Sequence, residues 1–191
     1  DTIATLFETG VEPYFKGTWI YDKWTEPTYP VFRLSFLNLD NFSIDEFKSE
    51  LNSKITDFAN KISVKGYVEK SEPENSIEGL LERLREEKRQ IVFLIDEYDY
   101  QLTSNINNDD LYKQFQHKIK RFYANIKNKW AIKFLGITGV TRLKDVEIFS
   151  IGSDINDITN DSAYSQMIGF TRDEIKKYYI DYLKLASSYE N

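Results

Sequence analysis

The sequence predicts an α/β protein of three layers, with helices on both faces of a mostly parallel sheet. Three observations carry this. Short strands alternate with amphipathic helices along the chain. The two central strands, in IVFLI and AIKFLGITG, read as apolar runs rather than as apolar–polar alternation. Both runs end in small or chemically active residues, Asp96 and Glu97 after the first and Thr138 and Gly139 after the second. Strands buried on both faces have this composition, and helices on each side provide the cover. In such sheets the ligand sits beyond the carboxyl ends of the strands.

The elements follow in order. DTIATLFET places Ile3, Leu6 and Phe7 on one helical face, with Gly10 as the stop. An aromatic connector, PYFKGTWIYDKW, leads to a strand at Val31 to Phe36, rich in β-branched and aromatic residues. The next helix is predicted from Ser43 and Glu46, spaced as a capping box, and from Ile44, Phe47, Leu51, Ile55, Phe58 and Ile62. After the polar loop KGYVEKSEPENS, Ser76 is read as the N-cap of a helix carrying Ile77, Leu80, Leu81 and Leu84. IVFLI is the following strand. Leu111, Phe115, Ile119, Phe122 and Ile126 mark another amphipathic helix, and AIKFLGITG a further strand. The acidic stretch after it suggests one short strand at Glu147 to Ser150. A last helix is expected to start at Thr171, with Glu174 as capping partner, and to run to Asn191.

Composition narrows the function. The chain has 191 residues, 41% of them apolar and 15% aromatic, which fits a globular core. No apolar run approaches the roughly 20 residues that cross a bilayer, and the start carries no signal-peptide pattern. Disulfides and thiolate metal sites are excluded by the absence of cysteine, so a reducing cytoplasm is the expected location. A single histidine, His117, excludes a multi-histidine metal site, and it falls on the polar side of its helix. The chain opens on Asp1 and its one methionine is Met167, so it is read as a piece of a longer protein. A net charge of −6 gives no global attraction to nucleic acid. Lys113, Lys118, Lys120, Arg121, Lys127, Lys129 and Lys133 nevertheless follow one another with no intervening acid. That run is either a solvated helix face or a phosphate-contacting patch.

The two strand ends carry the chemistry. Carboxylates beside an apolar run are costly unless solvated or compensated, so Asp96 and Glu97 either sit in water or hold a metal. Magnesium prefers hard oxygen ligands and keeps several waters, so one carboxylate at a rigid strand tip suffices. Asp96 is the candidate metal ligand and Glu97 the candidate for orienting or deprotonating an attacking water. At the other tip, the Thr138 hydroxyl can read a terminal phosphate, and the Arg142 guanidinium can neutralise developing phosphoryl charge. The bland reading of the second tip is a loop whose arginine pairs with Asp145 or Glu147.

LIDEYDYQL resembles the magnesium-binding (Walker B) segment of the predicted AAA-ATPase-like family, P-loop proteins near the signalling ATPases called STAND. FKGTWIYDKW, YPVFRLSF, GITGVTRLKDVEIFS and YSQMIGFTRDEI are similar to further segments in the family's order. The resemblance implies a P-loop NTPase-like core, ATP and magnesium as ligands, and often a nuclease-like effector domain on the C-terminal side. It implies Asp96 and Glu97 as the Walker B acids, Thr138 at the sensor position and Arg142 as the arginine of the GV(S/T)R segment. Asp99 shares the DEYD segment; the role open to it is support of the loop after the strand.

The sequence departs from the family at one point. No G-x-x-x-x-G-K-[ST] phosphate loop is present, and KGT at 16–18 has its lysine and glycine reversed. Residues 1–168 are therefore read as a core without its first strand and phosphate loop, and 169–191 as the first helix of a lid. ATP affinity of these residues alone is expected to be weak or nil, and the fragment by itself inactive. Two other readings stand beside the ATPase: an α/β interaction scaffold binding protein or nucleic acid, and a phosphoesterase holding metal on Asp96, Glu97 and Asp99.

Overall fold

The computed structural model describes residues 1–127, 129–141, 155–164 and 171–188. It falls into two units, Asp1–Asp154 and Ile155–Asn191. The first unit is built on three parallel strands, β1 (Val31–Ser35), β2 (Ile91–Asp96) and β3 (Ile132–Ile137), with β2 in the centre. Alternation along the strands divides their side chains between two apolar clusters. Phe32, Leu34, Ile91, Phe93 and Ile95 face the layer formed by α2 (Ile44–Lys61), α3 (Pro73–Glu86) and α5 (Asp109–Ile126). Val31 and Val92 face α1 (Thr2–Thr9) through Ala4 and Phe7, with Trp24, Tyr29 and Leu94 at the margin. The predicted three-layer α/β/α sandwich is thus what the chain forms.

Packing is aromatic at its centre. The Phe32 ring lies between Phe58 at 4.6 Å and Phe93 at 4.7 Å, both stacked. Such contacts add about 0.5–1.5 kcal/mol beyond the area they bury. Arg33, on the α1 face, pairs with Glu8 and with Asp1 at 3.4 Å. Trp19 is exposed beneath the Lys23 ammonium, 3.8 Å from its ring centre, and Trp24 packs edge-on against Phe7.

Most element starts obey local chemistry. The Gly10 N–H closes α1 on the Leu6 carbonyl, and its φ of 72° is one that glycine adopts without penalty. Ser43 caps α2 by accepting the Glu46 N–H, but the expected return bond is replaced: the Ser43 N–H goes to Asp40. β1 stops at Ser35 because Phe36–Asn38 coil into a 3-10 turn. The Ser76 N-cap is corrected. Helix α3 begins at Pro73, whose fixed φ suits the first helical position, and Ser76 lies buried within it, bonded to the Lys70 backbone. A short helix, α4 (Tyr100–Ser104), was not expected.

In the second unit, Thr171 and Glu174 form the predicted reciprocal cap. The single terminal helix is instead two, α6 (Arg172–Tyr178) and α7 (Ile180–Ser188), divided at Tyr179. The strand expected at Glu147 to Ser150 and the proposed division at 168/169 lie outside the described residues. Among those described, no helix is long and apolar enough to cross a membrane.

The basic run does not form one face. Lys118 pairs with Glu72 and, at 3.1 Å, with Glu74. Arg121 reaches Glu74 at 2.9 Å, Lys129 reaches Glu78 at 3.3 Å and Lys133 reaches Glu26 at 2.9 Å. Much of the run is committed to acids of the first unit.

Candidate functional site at the strand tips

Register brings the two predicted tips together. Ile95 of β2 stands opposite Ile137 of β3, so the residues that follow, Asp96 and Thr138, emerge side by side. A shift in pairing at Ile91/Val92 sets this alignment, because Val92 partners Phe134 rather than Lys133. The backbone closes the junction: Thr138 N–H donates to Ile95 C=O at 2.9 Å, and Tyr98 N–H to Thr138 C=O at 3.1 Å.

Asp96 is exposed at the end of β2. Its Oδ1 accepts the Thr138 hydroxyl and, at 3.1 Å, the N–H of Glu97. Glu97 is half-buried and takes the left-handed φ of 52°, a conformation that costs an L-residue about 1–2 kcal/mol. Outliers of this kind concentrate at functional sites. Among the described residues no lysine or arginine pairs with Asp96, Glu97 or Asp99. Arg142 lies outside the described residues.

Asp99 is a different carboxylate. It is 1% exposed, and its oxygens accept the Val140 N–H at 3.2 Å, the Thr141 N–H at 2.6 Å and the Thr141 hydroxyl. Tyr98, also buried, donates its phenol to the Thr141 carbonyl at 2.6 Å. Its ring leaves no room for a side chain at Gly139, where a Cβ would lie 2.2 Å from it. The expected support of a loop by Asp99 thus concerns the loop after β3. A metal site on Asp96, Glu97 and Asp99 together is not what the chain forms: Asp99 is turned to that loop, and no cluster of three metal-ligating side chains occurs among the described residues.

Tyr98, Gly139 and Thr141 carry no signal of their own in the sequence, and neither does Gln101. Fully buried, Gln101 donates to the carbonyls of Phe36 at 2.8 Å and Leu39 at 3.1 Å, tying the loop after β1 to α4. Below the site, burial, and then the neighbouring Tyr98 and Asp99, push the Tyr123 phenol well above its ordinary range. It remains a neutral hydroxyl. A shallow groove of about 430 Å³, lined by Tyr29, Pro30, Val31, Phe58 and Lys61 among others, opens at the amino end of β1. That is the opposite end of the sheet from the tips, so the groove is not the candidate site.

A central parallel strand ending in Asp-Glu beside a strand ending in a hydroxyl defines a P-loop NTPase-like core. The chain belongs to the predicted AAA-ATPase family, whose model matches residues 1–149. It is also 28% identical, over 180 residues, to a protein of Azotobacter chroococcum mcd 1 described as an uncharacterized protein in the vnfD 5′ region. That match covers 92% of this chain and 34% of the relative, so the chain spans about a third of the relative's length. No solved structure matches the chain.

Proposed function

We propose that this chain is the core of a magnesium-dependent ATPase, in which slow turnover switches an attached effector domain within a longer protein. One observation carries the reading: the exposed Asp96 carboxylate and the Thr138 hydroxyl meet at adjacent carboxyl tips of a parallel sheet. The donor set suits magnesium, being hard oxygen that no described cation already neutralises. Asp96 would hold the ion, which supplies charge neutralisation at the phosphoryl group. Glu97 orients and accepts a proton from the attacking water. Thr138 fixes the Asp96 carboxylate and reads the terminal phosphate, and Arg142 compensates charge on the transferring group. The phosphates themselves require a GKS or GKT loop in the longer protein, and residues 169–191 belong to its lid. A nuclease-like domain on the C-terminal side is the proposed effector.

The test uses a longer natural protein that carries such a loop. Asp96→Ala should abolish magnesium-dependent ATP binding. Glu97→Gln should keep binding and lower phosphate release by about 100-fold or more, as expected for loss of a general base. ATP affinity unchanged by Asp96→Ala overturns the assignment.

A further inference from the structure

The loop after β3 presents a physical puzzle. Thr138, Gly139 and Val140 are exposed, Val140 to 88%, so apolar burial does not hold this segment. Yet its backbone is bonded at almost every residue. Thr138 uses both its N–H and its C=O, Val140 its N–H, and Thr141 its N–H, C=O and hydroxyl. All but one of those bonds end on Tyr98 or Asp99. Two successive N–H groups aimed at one buried carboxylate make a short anion-binding nest, filled here by the chain's own aspartate. Charge-assisted bonds of this type are shorter and stronger than neutral ones. Gly139 completes the fit, because only a residue without Cβ lets the Tyr98 ring lie against the turn.

We propose that Tyr98 and Asp99 are positioning residues, which fix the loop after β3, as far as Thr141, against the tip of β2 and so set the Thr138 hydroxyl. The inference rests on the ATPase reading, since it assigns what holds that site's second half. The DEYD segment then splits into two halves. Asp96 and Glu97 face the reaction, while Tyr98 and Asp99 hold the neighbouring loop in register with it. Neither positioning residue touches nucleotide. Their effect falls on the precision of the site rather than on its affinity.

The experiment compares Asp99→Asn, Tyr98→Phe and Asp96→Ala in the longer natural protein that carries a phosphate loop. It measures Mg-ATP dissociation constant, kcat, and amide hydrogen exchange at Val140 and Thr141. Asp99→Asn should leave the dissociation constant within about threefold and lower kcat by about 100-fold, the usual consequence of a misplacement near 1 Å. Exchange at Val140 and Thr141 should accelerate while the β2 amides stay protected. Tyr98→Phe removes one bond without disturbing the buried charge, so it should give a smaller loss of the same kind even if Asp99→Asn folds poorly. Turnover that Asp96→Ala abolishes but that both positioning variants retain in full overturns the positioning role and leaves the ATPase reading standing. A wild-type protein that neither binds nor hydrolyses Mg-ATP takes both down together.

Discussion

The seam between α3 and α5 and the tip of β2 both gather carboxylates, and they treat them in opposite ways. At the seam, Glu74 is buried between Lys118 and Arg121, and Glu72 lies between Lys48 and Lys118. Lys118, and then Lys48, hold the Glu72 carboxyl below its ordinary range. At the tip, Asp96 and Glu97 have no described cation within ion-pair distance, although they are adjacent and like-charged. The buried Asp99 has been given fixed N–H and hydroxyl donors, and the acids of the seam fixed countercharges. Acids left without one at a strand tip are suited to a mobile countercharge, such as a magnesium ion carried in with phosphate.

The comparison can be broken most forcefully at Glu74. Glu74→Ala removes a buried carboxylate while Lys118 keeps Glu72 and Arg121 stays half exposed, so it should cost about 1–3 kcal/mol in urea unfolding of the chain. A cost near zero would mean that the seam is not an electrostatic staple. A smaller effect of opposite sign is expected at Glu97. Replacing it with glycine relieves the left-handed backbone, so Glu97→Gly should hold or raise stability by up to about 1 kcal/mol while turnover is lost. Asp96→Ala should move stability by no more than about 0.5 kcal/mol, as for an exposed residue outside any ion pair among the described residues.

The smallest effect is a pH dependence. Glu72 has a folded pKa below its unfolded value, so its contribution is present above the unfolded carboxyl range, near about 4.3, and is lost as pH falls through the lower folded pKa. Glu72→Gln should flatten that acid limb by about 0.3 kcal/mol. An acid limb of unchanged steepness would place the responsible group elsewhere.

The sheet and the tip residues were legible because their signals are local. An apolar run such as IVFLI reports burial on both faces by itself, and Asp96 and Thr138 declare themselves by ending such runs. Their meeting needed β2 and β3 to be parallel neighbours, and also the shift in pairing at Ile91/Val92, which the sequence does not announce. What stayed illegible depends on partners far along the chain. Glu74 looks like a surface acid in a helix's first turn, yet Lys118, its partner, stands 44 residues on. Asp99 is bound by residues 41 and 42 positions later, and Gln101 by carbonyls more than 60 positions earlier. The misplaced N-cap at Ser76 was a local contest, lost because Pro73 suits the helix start better and Ser76 was needed by the Lys70 backbone. The basic run misled for the first reason: sequence adjacency suggested a shared face, whereas several of its members reach different acids.

Manganese–ATP, added to a longer protein that carries a phosphate loop, broadens nuclear resonances only of nuclei close to the ion. The amide signals of Asp96, Glu97 and Thr138 should disappear while those of Lys65, Glu87 and Arg89, beyond the amino end of β2, persist, and Asp96→Ala should restore the lost signals. Broadening that spares the strand tips, or that survives Asp96→Ala unchanged, would contradict the account.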